Sequence, residues 1–286
     1  MAKIIDGKLV SASIRASVAD EVKALRENGI CPTLAVILVG DDPASAVYVR
    51  NKQKACIETG IEPIQITLPK ETTESELLSK IDELNRDSKI HGILVQLPLP
   101  EHISEEKVIS KINPEKDVDA FTHESVGRIV EGKYSFLPCT PAGIMKLLEY
   151  YEIDVAGKEC VVIGRSNIVG KPMALLLLNA SGTVTVCHSK TKNLSEVTKR
   201  ADILIVAVGK AKFVTADMVK EGAVVVDVGI NRMPDGKLAG DVDFDSVSSV
   251  ASLLTPVPGG VGPMTIAMLM CNTVFAAKRA HNNKKA

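Results

Sequence analysis

Tyr48 and Lys52 stand four residues apart in PASAVYVRNKQKACIETG (43–60), a stretch opened by Pro43 and closed by Gly60. On a helix that spacing places both side chains on one face. The apolar run TLAVILVG (33–40) ends just before it. If that run is a strand, the N-terminal half of the helix lies at the ligand end of a sheet, where a lysine amine could move protons. Most lysines on helices are solvated, so spacing alone means little, but other residues point to the same place. VQLPLP (95–100) carries Gln96 at the end of an apolar run, where a polar group needs a partner. Its two prolines forbid a regular helix. Asp117 and Asp119 follow in a polar loop, and TPVPGGVGPMT (255–265) supplies three prolines and three glycines within eleven residues. So rigid and bare a backbone could press against a flat ring and bond its polar atoms through N–H groups.

A second group lies in VVIGRSNIVGKP (161–172). Gly164 closes an apolar run, and Gly170 falls six residues on, in the opening turn of the next helix. A helix N-terminus offers free N–H groups and a positive dipole end to a phosphate. Arg165 and Ser166 occupy the place of the usual second glycine. An NAD site wants an acid about 20 residues past the glycines, for the ribose 2′-hydroxyl. Here TVTVC is followed by His188, Ser189, Lys190 and Thr191, with no acid. A carboxylate there would repel a 2′-phosphate, whereas Arg165, Ser189 and Lys190 would attract one. These residues favour NADP, with NAD the alternative. VGK (208–210) and VGINR (228–232) end two further runs, so Gly209, Gly229 and Ile230 should border the cofactor.

Parallel strands and connecting helices must hold these groups. TLAVILVG, GILVQL (92–97), ECVVIG (159–164), TVTVCH (183–188), DILIVAVG (202–209) and AVVVDVG (223–229) are short apolar runs rich in Val and Ile. Such runs suit strands buried on both faces. Helical patterns lie between them: SASIRASVADEVKALRENG (11–29), TTESELLSKIDELNRD (72–87) with a capping box at Thr73 and Glu76, and TPAGIMKLLEYY (140–151) with an early proline. The pattern predicts an α/β protein of two units. They meet in a polar, turn-rich loop over 111–138, and a last helix from Pro263 to about 281 could return to the first unit.

The 286 residues are 45% hydrophobic and 24% charged, with a net charge of −1 and no basic stripe. That speaks against nucleic acid. The basic tail KRAHNNKKA (278–286) reads as a helix end, where cations are favoured. The start lacks the apolar core of a signal peptide, and the longest apolar runs, such as ALLLL (174–178), fall short of a membrane span. Six cysteines without CxxC spacing read as reduced core thiols of a cytosolic protein, and neither they nor the five scattered histidines suggest a metal.

SAVYVRNK, GILVQLPLP, KDVDA, VVIGRSNIVGKP, VVDVGINR and TPVPGGVGPMT occur in that order. Together they closely resemble the bifunctional methylenetetrahydrofolate dehydrogenase/cyclohydrolase family, from IIDGK (4–8) to the final helix. The resemblance implies two α/β domains with a cleft between them: a folate-binding catalytic domain, residues 1–120 plus 263–286, and a Rossmann-like NADP-binding domain, residues 121–262. It implies oxidation of 5,10-methylenetetrahydrofolate with NADP⁺, then hydrolysis of the methenyl product to 10-formyltetrahydrofolate, by a cytoplasmic homodimer. By motif, Lys52 is the central catalytic group, Tyr48 packs on and orients the folate, Gln96 bonds near Lys52, and Asp119 holds the pterin's donor nitrogens. Pro258, Gly259, Gly262 and Pro263 wall the folate site. Gly164, Arg165, Ser166, Ser189, Gly209 and Ile230 take the cofactor.

Two positions depart from the family pattern. Its usual KDVDG is KDVDA here, so Ala120 strains the loop of Asp119 if that position needs a positive φ. Ser125 stands where Asn is usual. The alternatives are a dehydrogenase-only member, another two-domain NADP oxidoreductase of the shikimate dehydrogenase kind, and a nucleotide-sensing protein without catalysis.

Overall fold

Caps and apolar patterning set where the elements begin and stop. The computed structural model describes residues 1–283. A two-residue strand, β1 (Lys3–Ile4), precedes the 21-residue helix α1 (Gly7–Glu27). Then β2 (Thr33–Val39), α2 (Pro43–Thr59), β3 (Glu62–Leu68), α3 (Glu74–Arg86) and β4 (Gly92–Val95) alternate. The short helices α4 (Glu105–Lys111) and α5 (His123–Val130) follow, with a 3-10 turn at Pro114–Lys116 between them. Next come α6 (Cys139–Tyr150), β5 (Glu159–Ile163), α7 (Gly170–Asn179), β6 (Thr183–Cys187), α8 (Leu194–Thr198) and β7 (Ile203–Val206). The chain continues through β8 (Val224–Asp227), the hairpin β9 (Asn231–Arg232) and β10 (Leu238–Ala239), α9 (Phe244–Val247), β11 (Leu253–Leu254) and α10 (Val261–Asn283).

Contacts divide the chain into two units. One holds Lys52 and comprises Ala12–Cys139 with the chain from Ile266 onward; the other holds Gly164 and comprises Met1–Ser11 with Thr140–Thr265. The expected boundaries at 120/121 and 262/263 differ from these. Residues 121–139 stay with Lys52 because α5 is anchored by Asp117, and residues 1–11 join Gly164 because β1 pairs with β11.

The Lys52 unit is built on a parallel sheet in the order β3-β2-β4. Every residue of the central strand β2 is buried. Alternate residues face opposite sides. Leu34, Val36 and Leu38 pack with Val18 and Val22 of α1, Val49 and Cys56 of α2 and Leu269 and Val274 of α10. Ala35, Ile37 and Val39 pack with Leu77, Ile81 and Leu84 of α3. Each fully buried Val, Leu or Ile among them contributes about 1.5–3 kcal/mol. A parallel bridge between Ile93 and Asp117 sets the 117–119 segment beside β4.

The Gly164 unit has a six-stranded parallel sheet in the order β1-β11-β8-β7-β5-β6. The chain leaves β5 for β6 on one side and returns to β7 on the other. A crevice beyond the carboxyl ends of β5 and β7 is therefore the place where a ligand is expected.

Several sequence expectations need correction. α1 begins at Gly7, four residues before the expected stretch. The loop over 111–138 contains α5, whose hydrophobic positions Ile129 and Val126 give it a helical period the polar residues obscured. β6 is partly exposed rather than buried on both faces, because it is the sheet's edge. Of the six free cysteines, Cys31 is exposed and Cys271 half-buried; the rest lie in the core. α10 is, by length and composition alone, apolar enough to cross a bilayer, which no short run suggested. Yet 56% of its most apolar window is buried inside the protein, as in a core helix. The basic stretch 278–286 begins within α10, and Lys278 and Arg279 pair with Glu21 and Glu115. Lys284, Lys285 and Ala286 lie outside the described residues.

One amide ties α10 to the backbone on both sides of the Asp119 loop. Asn272 Nδ2 donates to Val118 O at 2.8 Å and Leu137 O at 3.0 Å. Asn272→Ala would leave two inward carbonyls without that donor, a loss of about 2 kcal/mol. Chemical denaturation measures it directly; an unchanged midpoint would show that Asn272 does not hold the loop.

Candidate functional site

α2 begins where Asp42 accepts the Ser45 N–H at 2.7 Å, and it ends at Gly60, whose φ of 78° is left-handed. Its buried side carries Val49, Ala55 and Cys56, which leaves Tyr48 and Lys52 together at its flank. Lys52 Nζ donates to Gln96 Oε1 at 3.0 Å. That bond depends on strand pairing: β4 lies beside β2, Gln96 N bonds Ile37 O at 2.9 Å, and the side chain emerges at the strand's carboxyl end. Gln96 Nε2 donates to Leu97 O at 2.7 Å, which fixes the amide so that its oxygen faces the lysine. Gln96 therefore has the partner its sequence position demanded.

Asp119 is two residues past the bridge at Asp117, so it lies level with the end of β4. Burial pushes its carboxyl above the ordinary range; the Lys52 charge pulls it down, Asp117 pushes it up and the Cys139 thiol pulls it down. Burial likewise lifts the Cys56 thiol to about 12, against the pull of Lys52. Burial also raises the Tyr48 phenol, although the residue stays 39% exposed. Lys52, Gln96 and Asp119 thus converge, with Tyr48 one turn away.

The loop carrying Asp119 is held from below. The buried Asp117 accepts the N–H groups of Phe121 and Thr122 and the Ser125 hydroxyl at 2.7 Å. Ser125 is therefore the carboxylate's partner at the position where Asn is usual. Ala120 has φ 56°, the left-handed conformation that the departure from glycine made a concern. A non-glycine residue there costs about 1–2 kcal/mol.

In the other unit, the Gly164–Gly170 turn lies beyond β5. Gly164 has φ 124°, and a Cβ there would come 2.2 Å from Ala207 O. A Cβ on Gly170 would come 2.3 Å from Gly164 O. Both must be glycine because the turn folds back on itself and on the end of β7. Ser166 Oγ accepts from Val169 N at 3.2 Å and Gly170 N at 3.3 Å, so its hydroxyl meets the first N–H groups at the start of α7. Arg165 is exposed and in no ion pair among the described residues. Ile163 pairs with Cys187, and Gly164 N bonds Cys187 O, which puts Arg165 and the exposed Ser189 at neighbouring strand ends. His188 and Thr191 shape the Ser189 turn through the bonds His188 N to Thr191 Oγ1 and Lys190 N to His188 Nδ1. Gly209, at φ 65°, and Ile230, 44% exposed, stand beyond β7 and β8.

Pro258, Gly259, Gly262 and Pro263 belong to this unit too. Gly259 has φ 114°, and Lys8 N bonds its carbonyl at 3.1 Å. A Cβ on Gly262 would meet Ile230 Cδ1 at 3.6 Å, so the proline-rich loop borders the loop after β8. Gly7 escaped sequence reading. A Cβ there would overlap Gly260 O at 1.8 Å, and the sequence offered only a glycine four residues ahead of the helical pattern. Asp227 and Asp241 were also missed. Both are buried, and the signal was an acid next to glycine in GDVD (240–243) and an acid inside the run VVVDVG. Burial pushes Asp227 up to about 6 against the pull of three backbone N–H groups, and Asp241 pushes it the same way as burial.

Two family models match the chain. Tetrahydrofolate dehydrogenase/cyclohydrolase, catalytic domain, matches residues 5–119, and the NAD(P)-binding domain of the same description matches residues 138–281. The bifunctional protein FolD of Agathobacter rectalis is 62% identical over 279 residues, 98% of this chain and 100% of that one. The crystal structure of the bifunctional FolD methylenetetrahydrofolate dehydrogenase/cyclohydrolase from Campylobacter jejuni superposes with a TM-score of 0.96 at 55% identity, covering 98% of this chain and 99% of its own. The Trypanosoma brucei FolD, complexed with NADP cofactor and inhibitor, gives a TM-score of 0.94 at 38% identity, with 98% of each chain covered. Shikimate 5-dehydrogenase from Thermus thermophilus gives 0.54 at 17% identity over 86% of this chain and 99% of that one, a likeness of fold alone.

Proposed function

This chain belongs to the tetrahydrofolate dehydrogenase/cyclohydrolase family, and from that membership we infer that it oxidises 5,10-methylenetetrahydrofolate with NADP⁺ and hydrolyses the methenyl product to 10-formyltetrahydrofolate. The observation that carries the reading is the bond between Lys52 Nζ and Gln96 Oε1. The same reading takes the enzyme to be a homodimer of the cytoplasm, made of a folate-binding domain and an NADP-binding domain.

Bound NADP⁺ supplies the hydride acceptor. The two glycines without room for a Cβ, the helix N-terminus they open and the exposed Arg165 suit a phosphorylated dinucleotide. In this proposal Gly164, Ser166, Gly209 and Ile230 border it, and Arg165 and Ser189 take its 2′-phosphate. Tyr48 lies against the folate rings, Asp119 accepts from the pterin nitrogens, and Pro258, Gly259, Gly262 and Pro263 wall the ring.

Hydrolysis takes one proton from water as it attacks the methenyl carbon, takes the second from the resulting hydroxyl as the formyl carbonyl forms, and gives one to the ring nitrogen that leaves, so that one proton is released overall. Lys52 is assigned the transfers from the attacking water and to the leaving nitrogen. A neutral amide at 96 can aim the amine without adding a negative charge, and a cationic substrate disfavours a second positive charge beside it. The nearby Asp119 carboxyl opposes that effect while ionised, and burial weakens the opposition by favouring its protonated form. The presence of Lys52, Gln96 and Asp119 together argues against a dehydrogenase-only member.

A single assay follows NADPH and methenyl absorbance in a mixture of protein, NADP⁺ and methylenetetrahydrofolate. The wild type should form NADPH and consume the methenyl species; NADPH with a persistent methenyl signal would leave the dehydrogenase alone. Lys52→Met should lower hydrolysis by about a hundredfold or more while NADP still binds. Normal hydrolysis in that variant removes Lys52 from its role. Arg165→Ala should raise the KM for NADP by about tenfold and leave that for NAD nearly unchanged. Equal losses for both would show that Arg165 does not read the 2′-phosphate.

A further inference from the structure

Asp241 is fully buried, and it takes part in no ion pair among the described residues. Its carboxylate instead gathers four donors. Oδ2 accepts from Val208 N at 2.7 Å and Gly209 N at 2.8 Å, and Oδ1 from Lys210 N at 2.8 Å and Asn231 Nδ2 at 2.9 Å. Three consecutive N–H groups after β7 are thereby turned inward, and the loop after β8 is tied to the same carboxylate. Asp227 fixes Asp241 from behind. Its Oδ1 accepts Gly229 N and Asp241 N, both at 2.9 Å, and its Oδ2 accepts Val242 N at 2.9 Å. Two glycines make the room: a Cβ on Gly229 would come 2.2 Å from Asp241 Cγ, and one on Gly240 would come 1.8 Å from Asp227 Oδ2.

We propose that Asp241 is a positioning residue of the cofactor site, holding the turn at 208–210 and the loop at 229–231 in the one arrangement that seats the dinucleotide. The proposal rests on the assignment of those loops to NADP. Three successive N–H groups pointing outward would form an anion-binding concavity. Here Asp241 consumes them, so the turn after β7 meets the cofactor without those donors. Phosphate recognition is then left to the Gly164–Gly170 turn and Arg165. Asp241 does not touch the cofactor; its effect passes through the backbone it orders.

Asp241→Asn keeps the shape but sets an amide NH₂ against inward N–H donors, which loosens the turn. NADPH binding, followed by its fluorescence, should weaken by about tenfold or more. The KM for NADP should rise in step, and methenyltetrahydrofolate hydrolysis measured without cofactor should keep its wild-type KM. An unchanged NADPH affinity overturns the inference, and so does a parallel loss of both reactions in protein that is still folded. If Asp241→Asn does not fold, Asn231→Ala decides. It removes one donor only and should raise the KM for NADP by about fivefold with kcat little changed; an unchanged KM overturns the inference. Failure of the wild type to bind NADPH would sink the underlying functional reading, whereas normal binding by both wild type and variants sinks the positioning role alone.

Discussion

An amine aimed by a neutral amide is the contact on which the functional account depends. Gln96 can accept from Lys52 at 3.0 Å only because β4 lies in register beside β2 and α2 starts close to the carboxyl end of that strand. The register is protected by burial. Shifting β4 by one residue would turn Ile93 and Val95 out of the layer under α3 and swing Gln96 to the opposite face. The core of the Lys52 unit is thus the source of precision at its edge, and α10 contributes by holding the backbone on either side of Asp119's loop through Asn272.

The Gly164 unit solves a different problem, which is to bring strand ends close enough for one ligand to touch several. Its means are the absence of side chains and the presence of buried carboxylates. Gly164 and Gly170 let the turn after β5 lie against the end of β7, and Asp241 and Asp227 fasten the turns after β7 and β8. Burying carboxylates is costly unless donors surround them. Each of these two has at least three, so they stiffen the loops instead of loosening them.

Much of this was legible in the sequence. Central strands announce themselves through unbroken Val and Ile runs, and α2 and α3 through Pro43, Gly60 and the Thr73–Glu76 box, because those signals are local. β3 was passed over because EPIQITL, at a sheet edge, is half-exposed and carries a proline and polar residues. The two-residue strands β1 and β11 exist only by pairing with each other and with β8, which no local pattern can report. The φ of Ala120 was foreseeable as a question because glycine is usual there; that the chain accepts the left-handed conformation depends on Asp117 gripping three neighbouring groups. Lys52, Gln96 and Asp119 were found singly, by spacing, context and resemblance. Their convergence is a property of the sheet. Asp241 left only a faint sign, an acid beside a glycine, because its bonds depend on where the N–H groups of distant residues point.

The claim that matters most is that residue 96 serves by being uncharged. Gln96→Glu leaves size and reach nearly unchanged and places a negative charge against the lysine. Enzyme-catalysed methenyltetrahydrofolate hydrolysis, followed as a function of pH, should then reach its plateau about one pH unit or more higher than in the wild type, with a lower rate near neutrality. A superimposable pH profile for the two proteins would contradict the account.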